Sequence, residues 1–169
     1  MITLIRATAP TLTRPSDTTA YAAGDLVAND TDAVDVTNRI FTFPRFRGPL
    51  RIRKWLMEKT DADVANASFQ MHLFTAAPTY TSAGDNGLFA TVGVTLTGTY
   101  LGTLAMTAMY ASSTFAHGQG APIVGDYVTW EPSWSGDVAL LYGVMIAAAA
   151  YQGASAGTFK NTLEGEFES

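Results

Sequence analysis

Apolar and polar residues alternate with a period of two along most of this chain, and that period predicts β-strands. Leu50, Ile52 and Leu56 alternate with Arg51, Arg53 and Trp55, which predicts a strand with one packed face and one charged face. Phe69, Met71 and Leu73 alternate with Gln70, His72 and Phe74 in the same way. Further strands are predicted over 2–7, 21–28, 39–43, 99–110, 126–131, 138–151 and 158–167. Glycine, proline, asparagine and aspartate separate them, residues that accept φ > 0 or cap a turn with a side chain.

Two segments compete for helix. The alanines at 147–150 favour helix by propensity, but they continue the β-leaning run that starts at Val138, and Gly153 and Gly157 follow. A long buried strand with small residues at a close sheet approach is expected there. Residues 104–110 are compatible with a short helical turn. Short strands without long helices predict an all-β fold, a two-sheet β-sandwich of about 8–10 strands. Unequal Gly/Pro-rich connections favour a jelly-roll-like arrangement. No repeat or linker divides residues 1–169, so one domain is expected, with 1–18 an extended arm or edge strand. The loop from Pro44 to Pro49 is expected to project.

Composition narrows the chemistry. There is no cysteine, which excludes disulfides, thiolate nucleophiles and cysteine-ligated zinc. Residues 1–6 carry neither the basic nor the apolar region of a signal peptide, and the apolar run 138–151 is too short to cross a bilayer as a helix. Synthesis in the cytoplasm and no membrane partner are therefore expected. Charged residues make up only 15% of the chain against 47% hydrophobic, so the apolar surplus is either partly buried against neighbouring subunits or packed into a well-filled β core with Ser/Thr-rich strands facing water.

The net charge is −5, yet the basic residues Arg39, Arg45, Arg47, Arg51, Arg53, Lys54 and Lys59 are concentrated in one stretch. The acids lie mainly at 25–35, 61–85 and 164–168. Such segregation predicts a dipolar surface suited to an acidic partner or to another copy. The candidate protein interface is Arg45, Arg47, Arg51, Arg53, Lys54 and Trp55. Cations interleaved with aromatics also occur in single-strand binders, but the overall acidity and the lack of a nucleic-acid-binding motif argue against nucleic acid.

Catalytic and metal patterns are weak. His72 falls in a strand pattern and His117 in a loop, His117-Gly118-Gln119-Gly120, without metal-pair spacing. No nucleophile elbow occurs. Asp30, Asp32 and Asp35 lack the glycine and glutamate of an EF-hand loop. Glu58, Glu131 and Asp137 are the carboxylates a glycosidase pair would draw on, with nothing else to single them out. No catalytic, cofactor or metal residue is assigned, and an enzyme is not expected. Trp130-Glu131-Pro132-Ser133-Trp134, with Trp55 and Tyr127, is a candidate aromatic platform for sugar rings or a set of packed core rings.

Several segments form an ordered frame: Tyr21, Gly24, Asp25, Leu26 and Val27; Leu73, Phe74, Pro78 and Thr79; Asp85 and Asn86; Leu141, Tyr142, Gly143 and Val144. That frame resembles small tailed-bacteriophage proteins that decorate or cement the capsid. The resemblance covers most of the chain through loose motifs, and the basic strand from Arg45 to Lys54 departs from the usual pattern. It implies a jelly-roll-like fold, binding to the major capsid protein, self-association as a dimer or trimer, and a place on the capsid exterior. The alternative is a carbohydrate-binding β-sandwich module, which predicts that Trp130 or Trp134 is exposed.

Overall fold

Inward-facing apolar residues organise eleven strands in a computed structural model that describes residues 2–31, 40–46, 50–78, 84–89, 99–130 and 139–168. The strands are β1 (Ile2–Thr8), β2 (Leu12–Thr13), β3 (Phe41–Phe46), β4 (Leu50–Lys59), β5 (Phe69–Phe74), β6 (Tyr100–Met106), β7 (Met109–Ala111), β8 (Ala116–Pro122), β9 (Val128–Trp130), β10 (Ala139–Ala147) and β11 (Thr158–Glu168). The main path runs β1-β11-β4-β8-β6-β5-β10-β3, with β2 on β11, β7 on β8 and β9 on β4. Every pairing is antiparallel, and there is no helix among the described residues.

The all-β expectation holds, and the path folds over on itself. One half contains β1, β11, β4 and β8; the other contains β6, β5, β10 and β3. A short ladder, Leu104 opposite Pro122 and Ala105 opposite Ala121, joins the halves through β6 and β8. At the far ends β1 and β3 come into contact, giving a nearly closed barrel. The core between the halves contains Trp55, Met57, Phe159 and Leu163 from one side and Phe43, Phe69, Met71, Leu104 and Met145 from the other. Residues 104–110, ambiguous in sequence, end β6 and begin β7.

Strand β4 breaks the period expected of it. Opposite β11, Lys54 faces Glu164 while Ile52 faces Gly165, so Arg53 is an extra residue and the ladder bulges there. A bulge reverses which parity points inward. Leu50 and Ile52 are buried before it, and Trp55, Met57 and Lys59 after it. Trp55 therefore does not share a face with Arg51 and Arg53: it is 0% exposed. Its indole Nε1 donates to Asn161 Oδ1 at 2.7 Å.

Strand β8 corrects a second expectation, for Ala116–Pro122 reads as loop and forms a central strand. Its inward positions are Ala116, Gly118 and Gly120, and the two glycines stand where nothing larger fits. A Cβ on Gly120 would lie 2.8 Å from Trp55 Cε3, and one on Gly118 would lie 2.3 Å from Met106 Sδ. His117 is consequently a strand residue on the outer face.

Candidate functional site

Most of the frame residues of the sequence come together as one fastened unit, whereas Leu73 and Leu141 face the main core and Thr79 lies outside the described residues. Residues 21–28 are not a regular strand but run beside the end of β10, through isolated bridges from Tyr21 to Tyr151 and from Leu26 to Ile146. Gly24 N donates to Ala147 O at 2.8 Å and Val27 N to Met145 O at 3.0 Å. The turn at 84–89 docks in its turn on this segment, with Leu26 N donating to Gly87 O at 2.8 Å and Phe89 N to Gly24 O at 2.9 Å. Gly24 has φ 93° and Gly84 φ 83°; a Cβ on Gly84 would lie 2.6 Å from Thr31 O. Leu26 and Ala28 pack with Phe74 and Val144, and Phe89, Ile40 and Tyr142 lean on them. The outer face of β5 and β10 is thereby covered.

A buried carboxylate locks this cover. Asp85 Oδ1 accepts from the Tyr21 hydroxyl at 2.7 Å and from Ala28 N at 2.8 Å. Its Oδ2 accepts from Asn86 Nδ2 at 3.1 Å and from Arg14 Nη2 at 3.5 Å. The Arg14 side chain is itself fully buried. It also donates to Gly153 O at 2.9 Å, Asp17 Oδ1 at 3.0 Å and Thr19 O at 3.1 Å. Burial pushes the Asp85 carboxyl above its ordinary range, against the pull of the Ala28 and Tyr21 hydrogen bonds and the Arg14 charge. Burial, reinforced by Asp85, also pushes the Tyr21 phenol up.

A second buried cation extends the array. The Tyr21 and Tyr151 rings stack at 6.2 Å, with the Arg14 guanidinium 4.9 Å from the Tyr21 centroid and Lys59 Nζ 5.1 Å from the Tyr151 centroid. Lys59 donates to Asp61 O at 3.0 Å and is also held by the Asp61 carboxylate and Asp63 O. Tyr151 donates its hydroxyl to Asp61 Oδ2 at 3.1 Å. Burial lowers the Lys59 pKa, opposed by Asp61 and Asp63, and raises that of Tyr151. Phenols held protonated in this way are poor bases. The arrangement acts as a fastener between the N-terminal segment, the 84–89 turn and the sandwich.

The basic strip looks different in space. Arg53 Nε lies 2.9 Å from Glu166 Oε2, Lys54 Nζ 3.8 Å from Glu164 Oε1, and Arg6 Nη2 2.7 Å from Glu164 Oε2. Pairing β4 with the acidic β11 thus interleaves charges that are segregated in sequence. Arg51 lies 5.1 Å over the Tyr127 ring. Arg45 falls in β3, and Arg47 lies outside the described residues. Trp55 belongs to the core and is removed from this surface.

The remaining candidates separate in the same way. Trp130 is buried at 3% exposure and pairs with Leu50 in the β4–β9 ladder, so it offers sugars no platform; Trp134 lies outside the described residues. Glu58 pairs with Lys160 at 3.2 Å, while Glu131 and Asp137 lie outside the described residues, as do Asp32 and Asp35. Asp30 accepts from Asp85 N through its backbone carbonyl at 2.6 Å. His72, predicted in a strand, sits in β5 with Nδ1 2.7 Å from Thr103 Oγ1 and its ring on Phe89. Among the described residues no three metal-ligating side chains group together, and no helix is long and apolar enough to cross a membrane.

Sequence reasoning missed the outer face of β7, β8, β4 and β11, where Tyr110, His117, Glu58 and Lys160 form one row across four strands. A shallow groove of about 330 Å³ lies along it. The Gly-rich composition of β8 concealed the strand that aligns these residues.

No family model matches the chain, and no curated sequence matches it. Comparison with solved structures finds weak similarity to chains of two virus particles. A chain of Triatoma virus has a TM-score of 0.21 at 14% identity, covering 100% of this chain and 63% of that one. A chain from the native virion of Kashmir bee virus at neutral pH has a TM-score of 0.22 at 8% identity, covering 92% of this chain and 70% of that one. The chain thus spans less than two thirds of the Triatoma virus chain. At these scores neither superposition defines a shared fold.

Proposed function

We propose that this chain is a structural protein of a virus particle, decorating or cementing the outside of an icosahedral tailed-phage capsid. It bridges major capsid protein subunits and contacts its own copies, without enzymatic activity. The observation that carries this reading is the convergence of the frame residues. Tyr21, Asp85 and Asn86 share hydrogen bonds around one carboxylate, and Leu26, Phe74 and Val144 share one apolar cluster. Part of the set on which the resemblance to decoration proteins rests, Tyr21, Leu26, Phe74, Asp85, Asn86, Tyr142 and Val144, therefore builds one feature, held by internal hydrogen bonds and apolar contacts.

Contact surface is available elsewhere. Ile123 and Val124 are 54% and 84% exposed on the turn after β8, with Tyr127 and Arg51 beside the same end of β4. An apolar tip with the Arg51 cation beside it suits an acidic shell surface with an apolar recess. Many identical copies on a shell make individually weak contacts effective together. The test is the composition of purified particles by mass spectrometry. The expected result is this protein in fixed ratio to the major capsid protein; its absence from the particles overturns the proposal.

A further inference from the structure

The geometry points to a binding site for uncharged saccharide on the outer face of β7, β8, β4 and β11, centred on Tyr110, Phe115 and His117. Tyr110 is 70% exposed and Phe115 40%. The His117 ring lies between them, 6.1 Å from Tyr110 and 6.2 Å from Phe115, inclined to them by 33° and 41°. A tight turn fixes the arrangement, with Ser112 N donating to Phe115 O at 2.7 Å. Exposed rings held in place by a hairpin present apolar faces at little entropic cost.

The polar groups beside these rings select the ligand class. His117 faces Glu58, and Glu58 faces Lys160. The two charges pair at 3.2 Å with both side chains more than half exposed, so the row is close to neutral and still offers a donor and an acceptor. Leu56 and Thr162 line the groove next to them, and Thr162 Oγ1 bonds Thr8 Oγ1 at 2.8 Å. A neutral ligand with a C–H face and several hydroxyls matches rings, cancelling charges and hydroxyls together. An extended peptide would need a free strand edge to join, but β4, β8 and β11 are each paired on both sides, and β7, which pairs with β8 alone, offers an edge only three residues long. A polyanion would need uncompensated cations, and Lys160 is matched by Glu58.

The test is titration calorimetry of the purified protein with neutral hexose and N-acetylhexosamine oligosaccharides of four to six units. Binding of at least one series is expected. Tyr110→Ala is expected to weaken it about tenfold by removing a stacked ring, while Tyr110→Phe retains it. Tyr100→Ala, an exposed ring on the other half of the barrel, should leave affinity unchanged. Tyr110 is exposed enough that its variants fold, which melting curves will verify. No binding across both series, affinity equal in Tyr110→Ala, or binding confined to a sulfated polysaccharide and abolished by salt would each overturn the inference. These residues are distinct from Arg51, Ile123 and Val124, so either outcome leaves the proposed capsid role to its own test.

Discussion

The two outer faces of the barrel are treated in opposite ways. On β5 and β10 the face is apolar, with Phe74 and Val144 sealed under Leu26, Ala28 and Phe89. On β11, β4 and β8 it stays largely open, a lattice of Arg6, Lys54, Glu58, Lys160 and His117 in which Arg6 and Lys54 close over a buried Glu164. The covered face depends on a buried carboxylate with four donors, whereas on the open face every cation is solvent-exposed and Glu58–Lys160 is exposed on both sides. Removing one partner of a buried pair strands the other in low dielectric, while solvent screens a surface pair. Residues that hold the molecule together and residues available to partners therefore lie on opposite sides.

Asp85→Ala gives the largest expected effect. It takes one of two carboxylates from the Arg14 guanidinium, which keeps Asp17, and leaves the Tyr21 hydroxyl and Ala28 N–H without their acceptor, at a cost of roughly 3–5 kcal/mol. Urea denaturation measures it, and a loss no greater than that of a surface variant would erase the distinction between the faces. Gly120→Ala comes next. Its Cβ meets the Trp55 ring and the Ala105 backbone, a clash expected to cost about 1–3 kcal/mol, where Gln119→Ala on the outward side of the same strand should be near neutral.

A pH dependence of the covered face should be smaller. Burial lowers the His72 pKa below its ordinary 6.5, so between that folded value and 6.5 the unfolded chain binds more protons. Stability must fall as pH drops through this window. The raised Asp85 pKa acts with the opposite sign, because the folded state then holds a proton that the unfolded chain releases above about 3.8. Melting temperatures at pH 7.5 and 5.5 should show a decline in the native protein that His72→Gln reduces. The smallest effect is expected for Glu166→Gln, which neutralises the partly buried partner of a solvent-exposed Arg53 and should cost about 1 kcal/mol.

Much of the fold was legible where period and composition agreed. Strands β1, β5 and β11 follow from their alternation, and the apolar run yields β10, which ends at Ala147, so the alanines 148–150 expected to extend it lie outside the strand. Strand β8 was not legible, because glycine marks a turn in sequence and marks room for Trp55 and Met106 in the barrel. Trp55 was misplaced for a related reason. A single extra residue at Arg53 inverts the face of everything after it, and only the partner strand reveals the insertion. The charge strip was legible as residues and not as a surface, since β11 brings Glu164 and Glu166 back against it. The fastener left one trace, the clustering of the frame residues around Asp85, while Arg14, Lys59 and Tyr151 carried no local signal.

The capsid role can be measured by adding purified protein to particle shells that lack it, with native chain and an Arg51→Glu, Arg53→Glu variant in parallel. The variant loses the Arg53–Glu166 ion pair and the Arg51–Tyr127 contact, both at the surface, and its melting curve verifies that it folds. The native chain should saturate the shells and raise their melting temperature, and the variant should occupy far fewer sites. Failure of the native chain to bind, or equal occupancy by the variant, would contradict the role assigned to this surface.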